Sequence, residues 1–197
     1  DYLIEATGVV ESVKNSKKLI DGQIVKKVFC TFSPNIEDFT IVIGSNEDDL
    51  NIKKHHLIST SICDATALAP ILKIINEKFN INNGYITTLH PWLSYQNLLD
   101  GPSSSWSAPG EIYHHYALGR SIIGNLIPKP TTALDVALKS VNNIDPNRIG
   151  CFSYRTPTAI VCSADLSLTL RNETSKKEII KLFTDLQNNQ KFNVINN

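Results

Sequence analysis

Cys63 and His90 are the residues of this chain best suited to chemistry. Cys63 lies in the stretch 59–79, STSICDATALAPILKIINEKF, where an irregular polar segment gives way to a helical pattern. Leu68, Leu72, Ile75 and Phe79 recur at three- and four-residue spacing, which predicts a helix with one buried face. Cys63 then sits at or just before the helix N-terminus. Unpaired backbone N–H groups and the positive end of the helix dipole favour a thiolate there. A thiolate is a nucleophile, whereas most free cysteines are small buried hydrophobes. His90 ends the run YITTLH at 85–90, which is alternating, rich in β-branched residues and predicts a strand. A helix joined to a strand by a short connection lets the two residues meet at one edge of a sheet. A cysteine–histidine pair is the minimum for thiol nucleophilic catalysis, because the imidazole favours the thiolate and later relays a proton. The same spacing also fits a buried thiol and an unrelated surface histidine.

The elements that must position this pair read as an α/β chain. Residues 2–6 form a short buried strand closed by Thr7-Gly8, and 10–19 form a helix with Lys14, Lys17 and Lys18 on its wet side. Strands follow at 24–32 and 39–43, separated by Ser33-Pro34-Asn35 and followed by the turn-rich GSNEDD. Strand, helix and strand in quick succession predict a layer with parallel strands. Pro70 is a flaw in the helix after Cys63, since deep in a helix proline kinks it. Residues 80–84 end that helix with turn chemistry. The stretch 100–110, DGPSSSWSAPG, reads as a loop long enough to carry function, and 126–132, LIPKPTT, as a second loop. Between them, 112–124 is a short mixed helix or strand, and 133–141 is helical. Residues 142–148 are a turn, and 150–154 and 159–170 are strands. Glu173 or Thr174 starts the last helix, with Ile179, Ile180, Phe183 and Leu186 as its core face. Strands and helices alternate before residue 60 and group differently after it, which places a domain boundary there.

Composition narrows the function classes. The chain has 197 residues, 42% hydrophobic and 19% charged, enough for one large or two small domains. Its 19 basic and 19 acidic residues cancel, so no global field argues for nucleic acid and no polybasic run for a membrane surface. No apolar run approaches the roughly eighteen residues of a membrane span. The four cysteines, at 30, 63, 151 and 162, show no CxxC or Cys/His metal spacing. The adjacent pairs His55–His56 and His114–His115 point in different directions on any regular element, so no metal site is expected. So few cysteines fit a reducing, cytoplasmic setting. The chain has no methionine and opens on a strand-like run without signal-peptide features, which suggests part of a longer polypeptide. No GxGxxG or Walker sequence occurs in its first segment.

Five segments, in order and with similar gaps, resemble the glyceraldehyde-3-phosphate dehydrogenase family. The family's SNASCTTNCLAP is similar to STSICDATALAP at 59–70. Its TTxH segment and DGP loop resemble Thr87-Thr88-Leu89-His90 and Asp100-Gly101-Pro102. Its GR…NIIP resembles Gly119-Arg120 with Asn125-Leu126-Ile127-Pro128, and its FRVPT resembles Tyr154-Arg155-Thr156-Pro157-Thr158. Its ExTG resembles Glu5-Ala6-Thr7-Gly8. The likeness covers nearly the whole chain, but lacks the family's opening glycine-rich loop and its closing segment with a WYDNEWGYS-like sequence. An internal fragment or a degenerate relative is therefore expected.

The resemblance implies an α/β protein. Residues 1–60 would be the last part of a Rossmann-like NAD-binding domain, with Thr7 and Gly8 at the cofactor. Residues 61–197 would be a catalytic domain with a mostly antiparallel sheet covered by helices. It implies NAD(P)-dependent oxidation of a small, phosphorylated aldehyde, as in glycolysis, with NAD or NADP as cofactor. Cys63 would form a thiohemiacetal and then a thioester, with His90 handling the proton. Arg120 and Arg155 would bind phosphate, as their fixed positive forks suit. Thr131 would add a hydroxyl, and Thr132, at the position of a family glycine, stands beside it in the phosphate-binding segment. A homotetramer is implied, with no nucleic-acid or membrane partner.

Three departures fall on the phosphate site. The serine before the family's cysteine and the threonine after it are Ile62 and Asp64 here, and the threonine three residues beyond the histidine is Leu93. Ile62 removes a donor. Asp64 adds a charge that repels a thiolate by roughly 3 kcal/mol at about 5 Å and an effective dielectric near 20. A catalytically impaired relative that acts as a binding or assembly module is therefore the alternative. A thiol hydrolase is a third reading, for which no residue orienting His90 can be named.

Overall fold

The computed structural model describes residues 1–93, 96–101, 104–108, 111–114 and 119–188, with only the backbone at 104–108 and 111–114. The chain forms two compact units, each described on its own. The first comprises Asp1–Asn82, Ala133–Pro146 and Leu170–Asn197, and the second Asn83–Thr132 and Asn147–Thr169.

The first unit is built on a four-stranded sheet of β1 (Tyr2–Glu5), β2 (Lys27–Cys30), β3 (Phe39–Thr40) and β4 (Leu57–Ser59), in the order β1-β2-β4-β3. Every pairing is parallel, as the strand–helix–strand order predicts. The strands are shorter than their apolar runs, because β2 occupies only the middle of 24–32. Helix α1 (Val10–Asp21) connects β1 to β2 and turns Val13 inward, onto Val28, Cys30 and Leu57. Thr7 and Gly8 make the turn between β1 and α1. Gly8 has φ +73°, a left-handed conformation that glycine adopts without the steric cost of a Cβ.

Beyond β3 the chain is tied by side chains rather than by a ladder. Asn46 is buried; its Oδ1 accepts the Val42 N–H at 2.9 Å and its amide donates to the Thr40 carbonyl at 2.9 Å. Asp38 Oδ2 accepts the N–H groups of His56 and Leu57 at 2.9 and 2.8 Å. Burial works against its charged form, but these bonds prevail and hold its carboxyl below the ordinary value.

Helix α2 (Cys63–Phe79) starts at the cysteine and runs across Pro70, which is buried inside it. Pro70 donates no N–H, so the Thr66 carbonyl lacks its usual ladder partner. Leu68, Leu72 and Phe79 are buried as predicted, while Ile74 takes the depth expected for Ile75, which is only half-buried. α2 packs against α3 (Ala133–Leu138), whose Ala133, Leu134, Val136 and Ala137 are buried. Asn76 closes the end of α2, its Oδ1 accepting the Ile81 N–H at 2.9 Å.

The last helix, α4 (Lys176–Asn188), begins just after the predicted start. Ser175 and Glu178 form a capping box, with Ser175 N–H donating to Glu178 Oε2 at 2.8 Å and Glu178 N–H to Ser175 Oγ at 3.3 Å. The expected core face needs correction. No described residue of α4 is buried, Ile180 is exposed, and Leu182 joins Ile179, Phe183 and Leu186 on the half-buried side.

The second unit is built on a four-stranded mixed sheet of β5 (Ile81–His90), β8 (Ile127–Lys129), β9 (Ile149–Arg155) and β10 (Ser163–Leu170), in the order β10-β5-β9-β8. β5 and β9 are parallel, and β8 and β9 antiparallel. Thr88 and Ser153 are register partners, and their buried hydroxyls bond at 2.9 Å. The two loop expectations are corrected. Within 100–110, β6 (Ser104–Ala108) pairs antiparallel with β7 (Glu111–His114), and within 126–132, β8 pairs with β9. Glycine and proline mark where such runs turn, but a strand of three to five residues fits between the marks. β10 starts at Ser163, four residues later than predicted, after Val161 in a left-handed conformation at φ +64°.

Candidate active site

In the first unit, Cys63 is the first residue of α2 and its thiol is exposed. The preceding segment fixes this position. Thr60 donates its N–H and its hydroxyl to the Cys30 carbonyl at 2.8 and 3.0 Å, and Ser59 Oγ accepts the Ser61 N–H at 3.0 Å. Ser61 is buried at φ +71°, and this kink turns the chain from β4 into the helix. Ile62 occupies the N-cap and provides no side-chain cap bond to the helix's first N–H groups. Asp64 stands against the thiol, with Cys63 Sγ donating to its Oδ1 at 3.5 Å. A carboxylate that close favours the protonated thiol over the thiolate.

The other thiol of this unit is shielded. Cys30 is fully buried at the end of β2, and burial, then the charges of Glu5 and Glu37, push its thiol up to about 11. The side chain of Glu37 is itself buried. Its Oε1 accepts Ser33 and Thr40 hydroxyls at 2.9 Å and Lys139 Nζ at 2.6 Å. Burial opposes its charge, but the Lys139 bond, reinforced by backbone and hydroxyl donors, keeps its carboxyl below the ordinary value.

Thr7 and Gly8 lie at the carboxyl end of β1, the edge where open parallel sheets receive ligands. Thr7 N–H donates to Glu5 Oε1 at 2.9 Å, and Thr7 Oγ1 accepts the Val9 N–H at 3.1 Å, leaving the hydroxyl proton to donate outward. Nothing lies within 4 Å of where a Gly8 Cβ would be, and buried Glu5 Oε2 has no partner among the described residues. Thr7 thus offers an exposed hydroxyl donor and Gly8 an open approach at this edge.

In the second unit, His90 ends β5 and is buried. Its carbonyl accepts the Thr156 N–H at 2.8 Å and the Thr156 hydroxyl at 2.9 Å. Its Nδ1 lies 3.6 Å from Cys162 Sγ. Sequence spacing offered no residue to orient His90. Cys162 is 72 positions along the chain from His90, so sequence spacing does not connect the two. Arg155 is the cross-strand register partner of His90, so the fold brings these two together. Its Nη1 donates to the Pro91 carbonyl at 2.9 Å, which leaves other guanidinium donors available. Arg120 is exposed, 3.8 Å from Asp100. Thr131 is half-buried and Thr132 exposed, both in the segment between β8 and α3. β8 runs antiparallel to β9, with Ile127 opposite Arg155 and Lys129 opposite Ser153.

Comparison with known proteins covers the same ground. Residues 62–196 match the family model described as glyceraldehyde 3-phosphate dehydrogenase, C-terminal domain. The cytosolic glyceraldehyde-3-phosphate dehydrogenase of Chlamydomonas reinhardtii is 32% identical over 182 residues, 92% of this chain and 50% of the relative. That of Wickerhamomyces ciferrii is 36% identical over 187 residues, and glyceraldehyde-3-phosphate dehydrogenase 1 of Bacillus subtilis is 31% identical over 182, each covering 91% of this chain and 50% of the relative. The chain thus spans about half the length of the curated relatives it matches. With the matched residues running from the N-cap of α2 through β10 and α4, this chain belongs to the glyceraldehyde-3-phosphate dehydrogenase family.

Proposed function

We propose that the protein containing this chain oxidises an aldehyde with NAD or NADP, through a covalent intermediate on Cys63. The observation that carries this reading is an exposed cysteine at the first position of a 17-residue helix, inside the segment that matches the family. Cys63 Sγ attacks the aldehyde carbonyl carbon while its thiol proton passes to His90, which returns it to the carbonyl oxygen and so completes a thiohemiacetal. His90 then takes the hydroxyl proton as the carbon gives up hydride and a thioester forms. Bound NAD or NADP supplies the hydride acceptor, held through Thr7 and Gly8. Arg155, beside His90 on the neighbouring strand, and Arg120 bind the phosphate of a glyceraldehyde-3-phosphate-like substrate, with Thr131 and Thr132 completing that site. We also propose a domain boundary near residue 60, a homotetramer and a cytoplasmic location.

A second reading, a catalytically impaired relative serving in binding or assembly, is favoured by Asp64, whose carboxylate takes the Cys63 thiol proton as a hydrogen bond. One assay separates the two. The full-length protein should reduce NAD or NADP only when glyceraldehyde 3-phosphate is added, and Cys63→Ala should abolish this. A wild-type protein that binds cofactor but produces no reduced nicotinamide supports the second reading instead.

A further inference from the structure

We propose that Cys162 is a positioning residue for His90: its sulfur accepts the Nδ1–H and so holds the imidazole in the tautomer whose Nε2 lone pair serves as base. The inference rests on the role given to His90 above. The backbone of His90 is already pinned, because Thr156 bonds its carbonyl twice, so ring rotation and tautomer are what remain to be set. Which ring nitrogen carries the proton is decided by the bond the other nitrogen makes. On the Nδ1 side the structure places Cys162 Sγ at 3.6 Å. Cys162 is exposed, so its own S–H can turn to solvent while a sulfur lone pair meets the ring.

The backbone before Cys162 bears the mark of a placed residue. Val161 is β-branched and sits at φ +64°, a conformation such residues avoid. Strain of this kind persists where the surrounding fold holds a residue in place, and it concentrates at functional sites. Here it turns the chain between Thr156, which grips the His90 carbonyl, and β10, and it delivers Cys162 to the imidazole.

The opposite arrangement, with the S–H donating to Nδ1, would leave the proton on Nε2 and deprive His90 of its base. Long-range proton–nitrogen NMR of the 15N-labelled chain distinguishes the two, at a pH where the ring is neutral. The wild type and Cys162→Ser should show Nδ1–H as the major His90 tautomer, and Cys162→Ala should shift it toward Nε2–H. A wild type with Nε2–H, or an alanine variant with the wild-type tautomer ratio, overturns the proposal. In the full-length protein, Cys162→Ala should lower kcat about tenfold, part of the usual contribution of general acid–base catalysis. KM should not change, and serine should restore the rate. An equal kcat in the alanine variant also overturns the proposal. If the wild type lacks dehydrogenase activity, that counts against the proposed reaction, while the NMR result alone still decides the role of Cys162.

Discussion

At the scale of single residues, the contact that most affects the chemistry is Asp64 against Cys63. At 3.5 Å, a thiolate and a carboxylate repel by about 5 kcal/mol at an effective dielectric of 20 and by about 1 kcal/mol in bulk water. Cys63 is exposed, so the lower figure is nearer the truth, and it is comparable to what a helix N-terminus returns, about 0.3–1 kcal/mol. The two effects nearly cancel, which makes the thiol's reactivity a property of one neighbour. Asp64→Asn should therefore raise the rate of Cys63 alkylation by iodoacetamide about fivefold, that 1 kcal/mol expressed as a rate. Cys63 should react first of the four thiols even in the wild type, and Cys30 last, because burial and two carboxylates hold its proton. Peptide mapping of the labelled protein checks both. Equal rates in wild type and variant would show that Asp64 does not govern the thiol. That Asp64 neighbours Cys63 was legible in the sequence, since the two are adjacent. That its carboxylate turns toward the sulfur was not, because a rotamer is chosen by what packs around it.

At the scale of elements, tight strand packing leaves positions where no side chain fits. A Cβ at Gly84 on β5 would lie 2.7 Å from the Ser167 carbonyl oxygen of β10 and 2.6 Å from Leu168 Cδ2. The leucine can rotate away, but the carbonyl belongs to a strand backbone. Gly84→Ala should cost about 1–3 kcal/mol, the usual range for overpacking, as a lowered denaturation midpoint with unchanged slope. Sequence reasoning did well where an element carries its own period or cap. α1, α2 and the strand over 85–90 are where the pattern put them, because 3.6- and 2-residue repeats are local; β5 nevertheless begins at Ile81, so 81–84 extend the strand where the asparagines and glycine of 80–84 predict a turn. It did poorly with β6 and β8, taken for loops, since a three- to five-residue strand has too few residues to show a period and exists only through its partner. It also assigned Ile180 to the core, although the stripe of Ile179, Leu182, Phe183 and Leu186 has the better helical spacing.

At the scale of the whole molecule, the first unit is held partly by one ion pair, between exposed Lys139 and the buried side chain of Glu37. Lys139, just past α3, donates to Ser33 Oγ, Asn35 Oδ1 and Glu37 Oε1 at 2.9, 2.8 and 2.6 Å, joining residues about a hundred positions apart. Lys139→Met would strand the Glu37 carboxylate, whose Oε2 already lacks a partner among the described residues. Because a third of the lysine side chain reaches solvent, the loss should fall at the low end of the range for breaking a buried pair, about 3 kcal/mol. Since the folded carboxyl lies below its ordinary value, its stabilisation is complete above about pH 4.5 and is lost as pH falls through the folded pKa. Urea titrations across that acid range should show the wild type losing stability faster than Lys139→Met. Parallel curves would remove Glu37 from the explanation.

What the sequence by itself determined was the alternation of elements, the helix that starts at Cys63, the strand that ends at His90, and membership of the family. Each of these is written in residues close together along the chain. The tertiary structure decided that Cys162 faces the His90 ring, that Arg155 lies beside His90, and that Lys139 neutralises Glu37. Those pairs are separated by roughly 65 to 100 positions, and sequence spacing carries no signal at that range. Only sheet register and packing bring such residues within hydrogen-bonding distance.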